Sequence, residues 1–157
     1  NAELTEVYAE LYDLRKQDLE SGKVKRTKAR VVELNTLARQ CIQTSKEVTK
    51  VIYQIEEADQ KFQYVQAVLN MELQMASKYS KLVEADSAAA ISNLKESIAA
   101  YQRARNFMND FKRYKKYETD ADMGEQLKTQ AQICDEMIIL LPEKINRMNQ
   151  IMIAQGK

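Results

Sequence analysis

Residues 23–123 hold neither glycine nor proline. A stretch of 101 residues without either strong helix breaker can turn only where packing makes it turn, so long helices are its default. A heptad ladder runs along the same stretch. Leu34, Cys41, Val48, Ile55, Phe62, Leu69, Ala76 and Val83 fall seven apart, and Leu37, Thr44, Val51, Ala58, Val65, Glu72 and Tyr79 repeat that step three residues further on. Rungs at a and d positions argue for helices packed side by side. The expected fold is therefore all-α: an elongated antiparallel helical bundle or coiled coil built on one very long central helix, with 1–157 forming a single domain.

Helix one is expected over 2–21. Leu4, Val7, Leu11 and Leu14 give it a stripe spaced by threes and fours, Tyr8 and Tyr12 lie beside the stripe, and Ser21-Gly22 supplies the stop. Helix two is expected over 24–85, about 93 Å long if unbroken; a break, if there is one, belongs near Ala58-Asp59, where the apolar density thins. Asp86-Ser87 is a boundary, because either side chain can accept a hydrogen bond from a free amide of a new helix. Helix three then covers 88–117 on a stripe of Ile91, Leu94, Ile98, Tyr101, Ala104, Met108, Phe111 and Tyr114. Thr119, Asp120 and Asp122 are candidate caps for helix four, over 123–154, and Asp122 with Glu125 has capping-box spacing. Pro142 lies inside the stripe of helix four and is expected to kink it.

Charge alternates along these segments. The net charge is −4 over 1–21, +6 over 22–50, −3 over 51–86, +5 over 87–117 and −3 over 118–157. Such blocks suit antiparallel hairpins. Each exposed pair is worth only about 0–1 kcal/mol, so the blocks specify pairing more than stability. In that layout the first half of helix two is covered by helix one alone. Val31, Val32 and Ile42 would then remain as an apolar flank open to a partner.

Little in the chain points to chemistry. With no histidine, the commonest general base and metal ligand are both missing. Three glycines do not make a phosphate-cradling loop, and two cysteines do not make a zinc site. No enzyme activity, cofactor, metal or small-molecule substrate is expected. Cys41 and Cys134 read as small buried hydrophobes; a bridge would need their helices to meet. Glu72 and Thr44 occupy d positions, where polar residues most often set register. Seven methionines give helix four in particular a soft apolar face suited to core packing or docking.

Two basic clusters stand out. One spans 23–30, with Lys23, Lys25, Arg26, Lys28 and Arg30. The other spans 103–116, where Arg103, Arg105, Lys112, Arg113, Lys115 and Lys116 alternate with Phe107, Phe111 and Tyr114. The plain reading is a solvated helix end; the functional reading is an anionic partner. A total charge of +1 argues against nucleic acid.

Met75, Ala76, Tyr79, Ala90, Ile91, Leu94 and Ile98 resemble one tetratricopeptide hairpin, but the pattern does not repeat after 34 residues, so no family is identified on it. Long kinked helices with basic patches are also similar in architecture to membrane-curving crescent dimers, with no shared motif. The expected function is that of a non-enzymatic scaffold, assembling through coiled-coil contacts with itself or other proteins into a filament, coat or secretion apparatus. The alternative is a membrane-surface module using the two basic clusters. Candidate contact residues are Val31, Val32, Ile42, Arg103, Arg105, Phe111, Lys112, Arg113, Tyr114, Lys115 and Lys116. No stretch approaches the roughly 20 apolar residues that span a bilayer. The start at Asn1 leaves a removed signal peptide, and with it a periplasmic or secreted location, open.

Overall fold

The computed structural model describes residues 2–115 and 121–156; it is all-helical, with no strand among the described residues. The order is α1 Ala2–Glu20, α2 Lys28–Tyr53, the single turn α3 Ala58–Lys61, a 3-10 turn Phe62–Tyr64, α4 Val65–Lys81, α5 Ser87–Lys115 and α6 Ala121–Ala154.

The long helices pack in sequence, each antiparallel to the one before. Thr5 meets Thr44 while Arg15 meets Glu33, which sets α1 against α2. Asn35 meets Val83 while Tyr53 meets Glu72, which sets α2 against α4. Ser97 meets Ala76 while Arg103 meets Glu72, which sets α4 against α5. Arg105 meets Asp135 across a short connection, so α6 returns along α5. Besides these successive pairs, α1 touches α4. The chain thus zigzags between two layers: α1, α4 and α6 run in one direction, and α2 and α5 run back. α4 lies at the centre. Val65, Val68, Leu69, Met71, Glu72, Met75, Ala76, Lys78 and Tyr79 are all buried, so it is covered on nearly every side.

The very long central helix is not formed. Its residues break at 54–57, just before the Ala58-Asp59 position where the apolar density thins, and again at the 3-10 turn Phe62–Tyr64; its far end, at Lys81, falls four residues short of the expected 85. At the first break Ile55 N–H donates back to the Ile52 carbonyl at 3.1 Å, and Glu57 turns extended before α3 begins. Neither glycine nor proline is needed. Glu56, Glu57 and Asp59 sit badly at the carboxyl end of one helix and well at the amino end of the next, because the dipole reverses between them. The aromatic ring of Phe62 then docks on α5, with centroids 5.4 Å from Phe107, 6.0 Å from Phe111 and 5.0 Å from Tyr114. Many apolar rungs of the ladder are filled as expected, but by two antiparallel helices rather than one rod.

Three other expectations change. α2 starts at Lys28, capped by Thr27, whose hydroxyl accepts from Arg30 N–H at 3.2 Å; residues 24–27 lie outside it. α1 does not bury its leucine stripe: Leu4, Val7 and Leu14 are exposed, Leu14 by 55%, whereas Thr5, Ala9 and Tyr12 face inward. The Thr5 hydroxyl donates to Thr44 Oγ1 at 2.6 Å, and small residues there let the helices approach closely. Ile42 is 5% exposed and part of the core, so it offers no surface to a partner. Other boundaries agree with the reading of the sequence. Gly22 ends α1 region with φ +76°, and Asp86 opens α5, its carboxylate accepting from Ala88 N–H at 3.2 Å. α6 continues through Pro142 as one helix. The helix-three residues 116–117 and the caps Thr119 and Asp120 lie outside the described residues.

Asp86→Ala removes that cap and leaves the rest of α5 intact. Urea unfolding should show a loss of about 1 kcal/mol with an unchanged m-value.

Candidate functional site

The α1–α4–α6 layer carries two adjoining grooves. Between α1 and α4 lies a cleft of about 430 Å³ lined by Thr5, Glu6, Asp13, Asn70, Gln74 and Lys78, among others. Between α4 and α6 lies one of about 590 Å³, lined by Gln66, Asn70, Glu125, Gln126, Thr129 and Gln130. Asn70 lines both, so the two grooves adjoin at α4. Beneath the second groove Gln130 donates to Gln66 Oε1 at 3.5 Å, while Gln66 Nε2 and Gln130 Oε1 are buried without a hydrogen-bond partner.

The other side of α4 is tied to α2 and α5 by one carboxylate. Glu72 is fully buried, and its Oε2 accepts from the Tyr53 hydroxyl at 2.7 Å and from Arg103 Nε at 2.7 Å. Burial raises the Tyr53 pKa well above the ordinary tyrosine range, helped by the Glu72 charge beside it. This is the d-position glutamate of the ladder. It sets the register of three helices at once.

The sequence-derived contact residues scatter. Val31 is half-buried and Val32 is 61% exposed at the start of α2. Arg103 is held by Glu72, and Arg105 by Asp135 at 3.0 Å and Asn109 at 3.2 Å. Phe111 is core. Tyr114 stacks on Phe62, Lys115 lies over the Tyr114 ring, and Arg113 pairs with Asp110. Lys112 is exposed, and Lys116 lies outside the described residues. The aromatic residues interleaved with cations on α5 thus serve mainly to receive Phe62. The charge blocks are realised between α4 and α5 and between α5 and α6, but the α1–α2 pair runs against them, with Arg15 on the acidic helix and Glu33 on the basic one, 2.8 Å apart.

The α4 side of these grooves had a signal: Gln66, Asn70, Gln74, Ser77 and Lys81 fall four, four, three and four apart and make one polar stripe. Gln130 carries no motif, and Lys78, next to that stripe, is covered by Tyr12 of α1.

No cluster of His, Cys, Asp or Glu able to hold a metal ion occurs among the described residues, and no described helix is long and apolar enough to cross a membrane. Cys41 and Cys134 are both free and buried, on helices that are not neighbours. Burial, then the Asp135 charge, pushes the Cys134 thiol up to about 11.

Ellman's reagent at pH 8 should label neither cysteine in the native protein and both in denaturant. A thiol kept neutral in the fold contributes stability that is complete below an ordinary thiol's pKa of about 8.5 and is lost as pH rises toward its folded value. Stability should therefore fall through that window, and Cys134→Ala should flatten the fall. Separately, Arg103→Met strands a buried carboxylate and should cost about 3 kcal/mol, a value at the low end because the guanidinium is partly solvated. Adding Glu72→Gln should recover part of that loss in urea unfolding, giving a coupling that separate losses would not show.

Neither a curated protein nor a solved structure matches the chain. A family profile does, over residues 2–148. With nearly the whole chain inside that match, it belongs to the family described as KIF-1 binding protein C terminal.

Proposed function

We propose that the chain is a non-enzymatic protein-interaction module that binds a KIF-1-type protein through the α1–α4–α6 layer. The family description supplies the partner class. The observation that carries the surface is the pair of adjoining polar grooves that share Asn70. Two parallel-helix grooves side by side can seat a polypeptide segment.

Asn70 is exposed, so Asn70→Arg obstructs both grooves without disturbing the core. Calorimetric titration with a purified KIF-1-type protein should show binding to the unaltered chain and at least tenfold weaker binding to this variant. Equal affinities would place the contact on another face, and no binding to the unaltered chain would remove the partner.

Self-assembly into a scaffold is a second reading, favoured by one observation: both ends of the helix row present apolar stripes. Leu4, Val7 and Leu14 are uncovered on α1, and Ile133, Leu140 and Ile151 on α6. Glu3, Glu6 and Glu10 border the first stripe, and Lys144 and Arg147 lie within the second, so a head-to-tail contact between copies would be complementary in charge. Sedimentation velocity over a concentration series should show association that Leu140→Glu abolishes. A monomer at every concentration would leave partner binding as the sole role. Membrane attachment keeps little support, because Arg103 and Arg105 are already engaged in ion pairs.

A further inference from the structure

The groove between α1 and α4 contains a charge that the fold leaves unanswered. Lys78 is only 3% exposed, and its ammonium makes no ion pair among the described residues. What it has is the face of Tyr12, with Nζ 4.7 Å from the ring centroid. Lys16 and Lys81 approach the same ring, each at 6.0 Å. One aromatic ring thus has three ammonium groups around it. Such a face attracts a cation but neutralises none, and the ammonium, little exposed and lining the groove, has no counter-charge there. The Lys81 pKa is lowered, first by burial and then by the charges of Lys78 and Lys16, which marks a positive field at that end of the groove.

The groups facing these lysines from the neighbouring elements narrow the ligand. Asp13 and Glu6 line the α1 side of the same cleft, and Ser77, Gln74 and Asn70 line the α4 side. None of the acids reaches ion-pair distance of Lys78. They do oppose a fixed array of negative charges, such as a lipid surface, but not a flexible peptide that turns its other side chains away. The neutral amides and hydroxyl suit a peptide main chain. A single carboxylate presented by a peptide meets both conditions: it fits beside Lys78 and Lys81, while its flanking amides reach the polar wall.

We propose that this groove is an acceptor site for an acidic side chain, Asp or Glu, of a bound polypeptide, with Lys78 as its principal counter-ion and Lys81 at the mouth. The proposal rests on the reading of the α1–α4–α6 layer as the docking face and names the chemistry that face selects.

The test uses the full chain and defined probes. A blocked tetraglutamate peptide, a blocked tetraglutamine peptide and inorganic phosphate are titrated at low salt, following the lysine ε-methylene signals by NMR. Tetraglutamate should shift the Lys78 and Lys81 signals and bind at least tenfold tighter than tetraglutamine or phosphate. Lys78→Met should weaken tetraglutamate at least tenfold while leaving thermal stability equal or higher, since it removes an unpaired buried charge. Lys81→Gln, at an exposed position, should weaken it about threefold and covers the outcome in which Lys78→Met does not fold. Equal binding of tetraglutamate and tetraglutamine, preference for phosphate, or wild-type affinity in both variants would overturn the site. If tetraglutamate binds as described but a KIF-1-type protein does not, the partner is wrong and the site stands. If that protein binds at Asn70 and tetraglutamate does not bind, the site alone fails.

Discussion

Glu72 is fully removed from water, and three helices are arranged to answer it. Its charge would be prohibitive in an apolar interior without partners. Tyr53 from α2 and Arg103 from α5 both donate to the same oxygen, so the carboxylate holds α2, α4 and α5 at one level. Shifting any of the three by a turn would strand a buried charge, which penalises alternative registers more than the pair rewards the native one. Apolar contacts alone would not discriminate so sharply. The surrounding core is mostly aliphatic, with alanine and leucine the commonest residues, and such contacts repeat from turn to turn. The outer oxygen of Glu72 makes no hydrogen bond, so the network is only part-satisfied; it fixes register at some expense of stability.

That constraint explains why the central helix had to break. Glu72 stands in the same ladder as Val51 and Ala58 and, along one rod, could not meet Tyr53 about 28 Å away at 1.5 Å per residue. Folding α2 back on α4 brings the two side chains to hydrogen-bond distance. The break is made by ordinary residues. Three acids near 56–59 reverse their dipole environment, and Phe62 fills a site formed by Phe107, Phe111 and Tyr114.

Helix identity was written locally in the chain, and so were most boundaries: Gly22 and Asp86 act as their types suggest. Which face of each helix turns inward was less legible. The heptad pattern identifies rungs that share a face but not which of two apolar faces wins. In α1 the leucine stripe is larger, yet Leu4, Val7 and Leu14 stay exposed while Thr5, Ala9 and Tyr12 are buried, where the Thr5–Thr44 hydrogen bond brings the two helices close. The basic clusters misled for a related reason. A run of cations on α5 looks free in the sequence, but Arg103 and Arg105 find acids on α4 and α6 that only the zigzag supplies. The grooves at Asn70 were half legible: the α4 stripe Gln66, Asn70, Gln74, Ser77 and Lys81 is local, but the helices that wall it on either side come from the two ends of the chain.

A row of helices that each touch mainly their sequence neighbours has a structural consequence for function. Its inner helices are satisfied on both sides, and α4, buried nearly all round, is the fixed reference. Its end helices keep an apolar face with nothing against it, and its parallel layer keeps a groove between each pair of axes. Such a frame is rigid where registers are pinned and open where a partner can dock. Lys78 joins the two properties. It sits on the most constrained helix, so its ammonium cannot retreat to solvent as a surface lysine's would, and Tyr12 holds it without cancelling it. A charge fixed in place and left without a counter-ion costs no further ordering when an acid arrives, and for that reason the buried lysine, rather than the exposed cations of 23–30, is the element of this fold best prepared for recognition.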